Sequence, residues 1–128
     1  MNLKTFNSEN VTPIRESKPC VHFNTKTGLF NFSIGACTLI GLKDGDRVSF
    51  HQDEEEPTDW YLEVTKNGFE LRAKENVTKG MLFNSSVMAR ALVYSVQEVK
   101  SGRVLIGSEH ITINGKTLWP LITASLKQ

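Results

Sequence analysis

Cysteine is nearly missing from this chain, with only Cys20 and Cys37 among 128 residues. Two are too few to staple a secreted scaffold, and a reducing compartment keeps both as thiols. Long apolar runs are missing as well, since none approaches the roughly 18 to 20 residues of a membrane helix. The first eighteen residues are polar and hold no apolar segment of signal-peptide length. That predicts an intracellular, cytoplasmic protein with no membrane partner. Net charge is also scarce, because 15 basic and 14 acidic side chains leave +1. Such a balance excludes the bulk electrostatics of a histone-like DNA coater, though not a local basic face. What is present suffices for a core: 39% hydrophobic residues with 7 Phe, 2 Trp and 2 Tyr exclude wholesale disorder. The length fits one domain.

An internal repeat organises the chain. Thr25 to Leu39 reads TKTGLFNFSIGACTL, and Thr78 to Leu92, 53 positions later, reads TKGMLFNSSVMARAL. Eight of the 15 positions are identical, where chance gives about one. Later landmarks persist with some drift: Arg47-Val48 against Arg103-Val104, and Trp60-Tyr61-Leu62 against Trp119-Pro120-Leu121. The spacing divides the chain into an N-terminal arm (1–17), a first repeat (18–66) and a second repeat (67–128). Their charges differ in sign. Residues 1–66 carry 7 basic and 10 acidic groups, and residues 67–128 carry 8 and 4.

Each repeat reads as strand, strand, short helix, strand, strand. Cys20 to Asn24 and Leu29 to Phe32 are β-prone runs around the turn Thr25 to Gly28. Ser33 is placed to cap a helix whose apolar side is Ile34, Cys37, Leu39 and Ile40, and Gly41 ends it. Cys37 reads there as a small buried apolar residue. Asp44-Gly45 turns into a strand at Arg47 to Gln52, an acidic loop spans Asp53 to Asp59, and Trp60 to Thr65 is another strand. Asn67-Gly68 carries a two-residue hairpin signal. In the second repeat Leu82 and Phe83 mark a strand, and Ser85 or Ser86 caps a helix reaching about Val96. Arg103 to Ile106 and a hairpin at Asn114-Gly115 complete it. A unit of about 50 residues is marginal alone, so two copies sharing one barrel-like core is the expected solution.

The run from Gly28 through Ile40-Gly41-Leu42 to Gly45-Asp46-Arg47-Val48 resembles the SpoVT/AbrB-type swapped-hairpin domain. Ser33 stands where that family usually has Pro, and both residues suit a helix start. The second repeat keeps the strand, cap and helix but loses the Gly-Leu pair. The resemblance implies a mostly β fold with two short helices: a duplicated swapped-hairpin, AbrB-like β-barrel with pseudo-two-fold symmetry. The tandem arrangement resembles MraZ-like relatives, in which one chain imitates a dimer. It also implies no cofactor, and a partner in duplex DNA as for a transcription regulator or accessory factor. Oligomeric state is left open, homo-oligomers included.

Carried over by position, the DNA-binding residues are Lys26, Arg72, Lys74, Lys79 and Arg90. Lys26 and Lys79 lie in the turn before the apolar strand of each repeat, Arg90 lies on the second helix, and Arg72 and Lys74 precede Lys79. They would chiefly contact phosphates. The Arg that often follows the motif Gly is Leu29 here and Leu82 in the second repeat, so the first repeat has the poorer face. The alternative is a non-enzymatic module that keeps the fold for a protein partner, with Asp53 to Glu56 and Asp59 steering a basic surface. Trp60 and Trp119, at matched positions, read as packing residues.

Enzymatic readings find little support, and none is expected. Cys20 and His22 lack a second Cys/His pair at metal-ligand spacing. His51 beside Asp53 reads as a passing site for a divalent ion at most. No Gly-rich phosphate loop follows a strand, and Ser33 and Ser86 have no assigned base.

Overall fold

The computed structural model describes residues 18–73, 80–96 and 101–123. The expected arm at 1–17 lies outside them. In chain order the elements are β1 (Cys20–Asn24), β2 (Leu29–Phe32), α1 (Ile34–Ile40), β3 (Arg47–Gln52), β4 (Trp60–Thr65), β5 (Phe69–Glu70) and β6 (Arg72–Ala73). Then follow β7 (Met81–Asn84), α2 (Ser86–Val96), β8 (Ser101–Ile106), β9 (Ile111–Ile113) and β10 (Lys116–Ile122). The protein is mostly antiparallel β with two helices, as the sequence leads one to expect.

Nine strands form one path in the order β5-β3-β4-β10-β8-β1-β2-β7-β6, with β9 added to β10. The two ends of that path, β5 and β6, are consecutive in the chain and separated by Leu71 alone. The sheet therefore bends round into a nearly closed barrel. Leu71 is fully buried. Its N–H donates to Asp46 O at 2.8 Å, and its carbonyl accepts from Gly45 N at 2.9 Å, so the seam remains hydrogen-bonded. Closure leaves few open strand edges for another chain to pair with.

Local chemistry accounts for most elements. In β1, Val21 and Phe23 are buried while His22 and Asn24 are exposed, the period-two pattern of a strand covering a core. Ser33 caps α1, its Oγ accepting from Ala36 N at 3.1 Å. The same hydroxyl oxygen accepts from Cys20 N at 3.1 Å and donates to Lys18 O at 2.9 Å, tying the helix start to β1. Ser85, rather than Ser86, caps α2, with Met88 N donating to its Oγ at 3.1 Å and Ala89 N to its carbonyl at 3.1 Å. The buried side of α1 is Ala36 and Cys37. Ile34, expected on that side, is instead 45% exposed, since Ala36 and Cys37 set the inward face and Ile34 lies to one side of it.

The two Asn-Gly signals have different outcomes. Asn114 and Gly115 both take positive φ, 53° and 76°, and join β9 to β10 as a tight hairpin. Asn67-Gly68 does not make one, since β5 pairs with β3 and not with the preceding β4. The chain crosses β3 there, and Gly68 lies so close to the Val48 carbonyl that a Cβ would collide with it. A backbone contact, not a turn type, selects that glycine.

The pairing registers relate the two segments reciprocally. β2 and β7 pair as Leu29–Asn84, Phe30–Phe83 and Asn31–Leu82. Shifting each residue by the 53-residue repeat offset returns the same three pairs. β4 and β10 pair as Trp60–Leu121, Tyr61–Pro120 and Leu62–Trp119, and matching the two Trp-containing triplets again returns the same set. β1 of the first segment pairs with β8 of the second, while β5 of the second pairs with β3 of the first. One core results, running from Val21 to Leu121. Its centre is aromatic: Phe30 and Phe83 stack at 4.6 Å and Phe69 and Phe83 at 4.7 Å, with Phe50 tilted against Phe30.

Candidate functional site

The turn after β1 is built to hold its shape. Asn24 Oδ1 accepts from Lys26 N at 2.8 Å and from Thr27 N at 3.4 Å, and Gly28 N donates to Asn24 O at 2.8 Å. An Asx-type turn of this kind leaves the Lys26 side chain on the outside. Gly28, at φ +72°, brings the turn against the start of α2, where its carbonyl accepts from Ser85 N at 2.7 Å. A Cβ at Gly28 would meet Ser86 N at 2.6 Å, so only glycine permits this approach.

That approach places Lys26 beside Arg90. With Thr25, Val93 and Tyr94 they line one open concavity of about 460 Å³. Among the described residues neither cation takes part in an ion pair. Arg72 lies on the neighbouring β6, where its guanidinium donates to Asn84 Oδ1 at 3.1 Å. Asn84 Nδ2 in turn donates to Thr27 O at 3.5 Å, so Arg72 connects to the Lys26 turn through one side chain. Lys74 and Lys79 lie outside the described residues. Of the five expected DNA contacts, two therefore line one groove and a third is linked to its rim.

The expected residue set omitted Tyr94. It is 87% exposed, on an outward stripe of α2 with Val87, Arg90 and Ala91, while Ala89, Leu92 and Val96 face the core. The spacing of Val87, Arg90 and Tyr94 at i, i+3 and i+7 was the available signal, an aromatic on the polar side of an amphipathic helix. A second concavity, about 450 Å³, is lined by His22, Asn24, Leu29, Asn31 and Arg103 among others.

The remaining candidates have structural partners. His51 Nε2 contacts Glu63 Oε1 at 2.8 Å, whereas Asp53 accepts from Glu55 N at 2.9 Å and Glu56 N at 3.3 Å. The acidic loop is thus ordered by Asp53 and pinned by Gln52 Nε2 to Pro57 O and by Thr123 Oγ1 to Thr58 O. Glu54, Glu55 and Glu56 are exposed. Trp60 is buried and donates from Nε1 to Ser95 Oγ at 2.8 Å, which fits packing rather than ligand stacking. Burial lifts the Cys37 thiol above its usual value, keeping it protonated and a poor nucleophile. No group of three or more potential metal ligands occurs among the described residues, and none of their helices is long and apolar enough to cross a membrane. No family model, curated protein or solved structure matches this chain.

Proposed function

We propose that this chain is a non-enzymatic, cytoplasmic DNA-binding protein of the AbrB-like type, acting as a transcription regulator or accessory factor. The reciprocal strand pairings support reading the barrel as two swapped-hairpin copies in one polypeptide. The observation that carries the functional reading is the meeting of Lys26 and Arg90. They are 64 residues apart in sequence, yet they line one concavity with no carboxylate in its lining. Cations so placed attract phosphate oxygens and release counterions on binding. Tyr94 adds a flat apolar face with a hydroxyl donor, suited to the sugar–phosphate backbone. Arg72, linked to the rim through Asn84, adds to these cations, Lys74 and Lys79 are proposed from their sequence positions alone, and the contacts are chiefly to phosphates.

The test is the salt dependence of binding to a labelled duplex of about 20 base pairs, followed by fluorescence anisotropy. Affinity should fall steeply between about 50 and 200 mM salt, each neutralised phosphate contributing about −0.9 to the log–log slope. Lys26→Ala combined with Arg90→Ala should weaken binding and make the slope shallower by about 2. Absence of salt-sensitive binding by the unaltered chain would overturn the reading. The protein-contact alternative would then take its place, favoured by the pre-ordered acidic loop. In that case a basic partner should be lost when Glu54, Glu55 and Glu56 become Lys.

A further inference from the structure

The reciprocal registers allow the outer surfaces of the two segments to be compared position by position, and they are unequal. On α2 the outward residues are Val87, Arg90, Ala91 and Tyr94. Their counterparts 53 positions earlier are Ile34, Cys37, Thr38 and Gly41. Cys37 is buried, Gly41 is already the C-cap, and α1 has no basic residue anywhere in its sequence IGACTLI. The two helices also start differently. α2 begins at Ser86, one residue earlier in the repeat register than α1, which begins at Ile34. The other pairs keep their facing, with Ala36 and Ala89 both buried and Thr38 and Ala91 both exposed, so the change is local to the Cys37/Arg90 position. Length adds to this, because α2 has 11 residues against 7 and reaches Tyr94 with a turn that α1 lacks.

The bias is confined to the helices, because on the sheet the matched Arg47 and Arg103 both take part in interactions. Arg47, on β3 of the first segment, is held by Glu70 at 2.9 Å and by Gly68 O at 3.3 Å. Its guanidinium is therefore engaged within the protein and its charge is offset.

We infer that each chain contacts duplex DNA on one side only, through α2 and the Thr25–Gly28 turn, and so covers a single half-site. This rests on the DNA-binding reading above and adds to it. A protein dimer with true two-fold symmetry presents two equal recognition faces, and its operator mirrors that symmetry. Here the fold and the turn lysine repeat, as Lys26 and Lys79, but the helix face that carries Arg90 and Tyr94 does not. An inverted-repeat operator would need two chains.

Thr38 and Ala91 provide a matched pair for the test: they are 53 positions apart, small, exposed, and on equivalent helices. Binding of the full chain to the same duplex of about 20 base pairs is measured for Ala91→Glu and for Thr38→Glu, with thermal melts to check folding. Ala91→Glu should weaken binding by about tenfold or more, since an acid enters the phosphate contact, and Thr38→Glu by less than about twofold. A second pair avoids introducing an acid: Arg90→Ala should weaken binding while Thr38→Arg leaves it within about twofold. Equal losses from the two Glu variants, or a gain from Thr38→Arg as large as the loss from Arg90→Ala, would overturn one-sided contact and leave DNA binding standing. No salt-sensitive binding by the unaltered chain would overturn both.

Discussion

Cys37 and Arg90 occupy the same place in the repeat, yet one is buried and the other exposed. For Cys37, removal from water is the largest influence on the thiol and raises its pKa above 9.0, while hydrogen bonding to the Met81 and Cys37 backbone pulls the other way. The folded chain therefore holds this proton at a pH where the unfolded chain releases it. The resulting stabilisation is complete below about pH 9 and is lost as pH rises through the folded-state value. Urea denaturation of the parent and of Cys37→Ala should show their stability difference shifting against the parent between about pH 7.5 and pH 10. A difference that stays constant over that range would mean the thiol titrates alike in both states. The exposed ion pair Arg47–Glu70, with side chains 44% and 55% accessible, contributes at most about 1 kcal/mol and matters more for the charge it offsets.

At the scale of elements, the two helix caps are alike in sequence and unequal in connections. Ser85 satisfies an amide of its own helix. Ser33 does so too, and its hydroxyl also joins Cys20 N and Lys18 O across the barrel end. Ser85→Ala should cost about 1 kcal/mol and Ser33→Ala about 2 kcal/mol, the excess reflecting the cross-links to β1. Equal losses in thermal or urea unfolding would show that those links contribute nothing. The hairpin signals show what short motifs can specify. Asn114-Gly115 lies between strands that pair with each other, so its intrinsic turn preference decides the outcome. Asn67-Gly68 lies between β4 and β5, which are separated in the sheet by β3, and tertiary pairing overrides the same preference.

At the scale of the whole molecule, the barrel wall alternates between segments and the core belongs to both. Phe83 touches Phe30, Phe32, Phe50 and Phe69, three of which come from the first segment. Phe83→Ala should cost about 3 to 5 kcal/mol, a large part of the 5 to 15 kcal/mol typical of a domain. Unfolding should also be a single transition. Trp60 lies in the first segment and Trp119 in the second, so Trp119→Phe and Trp60→Phe leave one fluorescent reporter in each. In each variant fluorescence and far-UV circular dichroism should give one coincident midpoint. Separate midpoints would show two independently folding halves and contradict a shared core.

Most element boundaries, the helix caps and the glycine that ends α1 were legible in the residues, because each depends on interactions within a few positions of the chain. Which strands pair across the sheet, how Leu71 closes the seam, and why Asn67-Gly68 crosses β3 were decided only by the tertiary structure. These features join residues far apart in sequence, and a buried apolar face specifies that it must be covered without specifying by which partner. The candidate site divides along the same line. Lys26 and Arg90 were singled out by residue type and by a family resemblance, but their shared groove exists because Gly28 lets the β1–β2 turn approach α2.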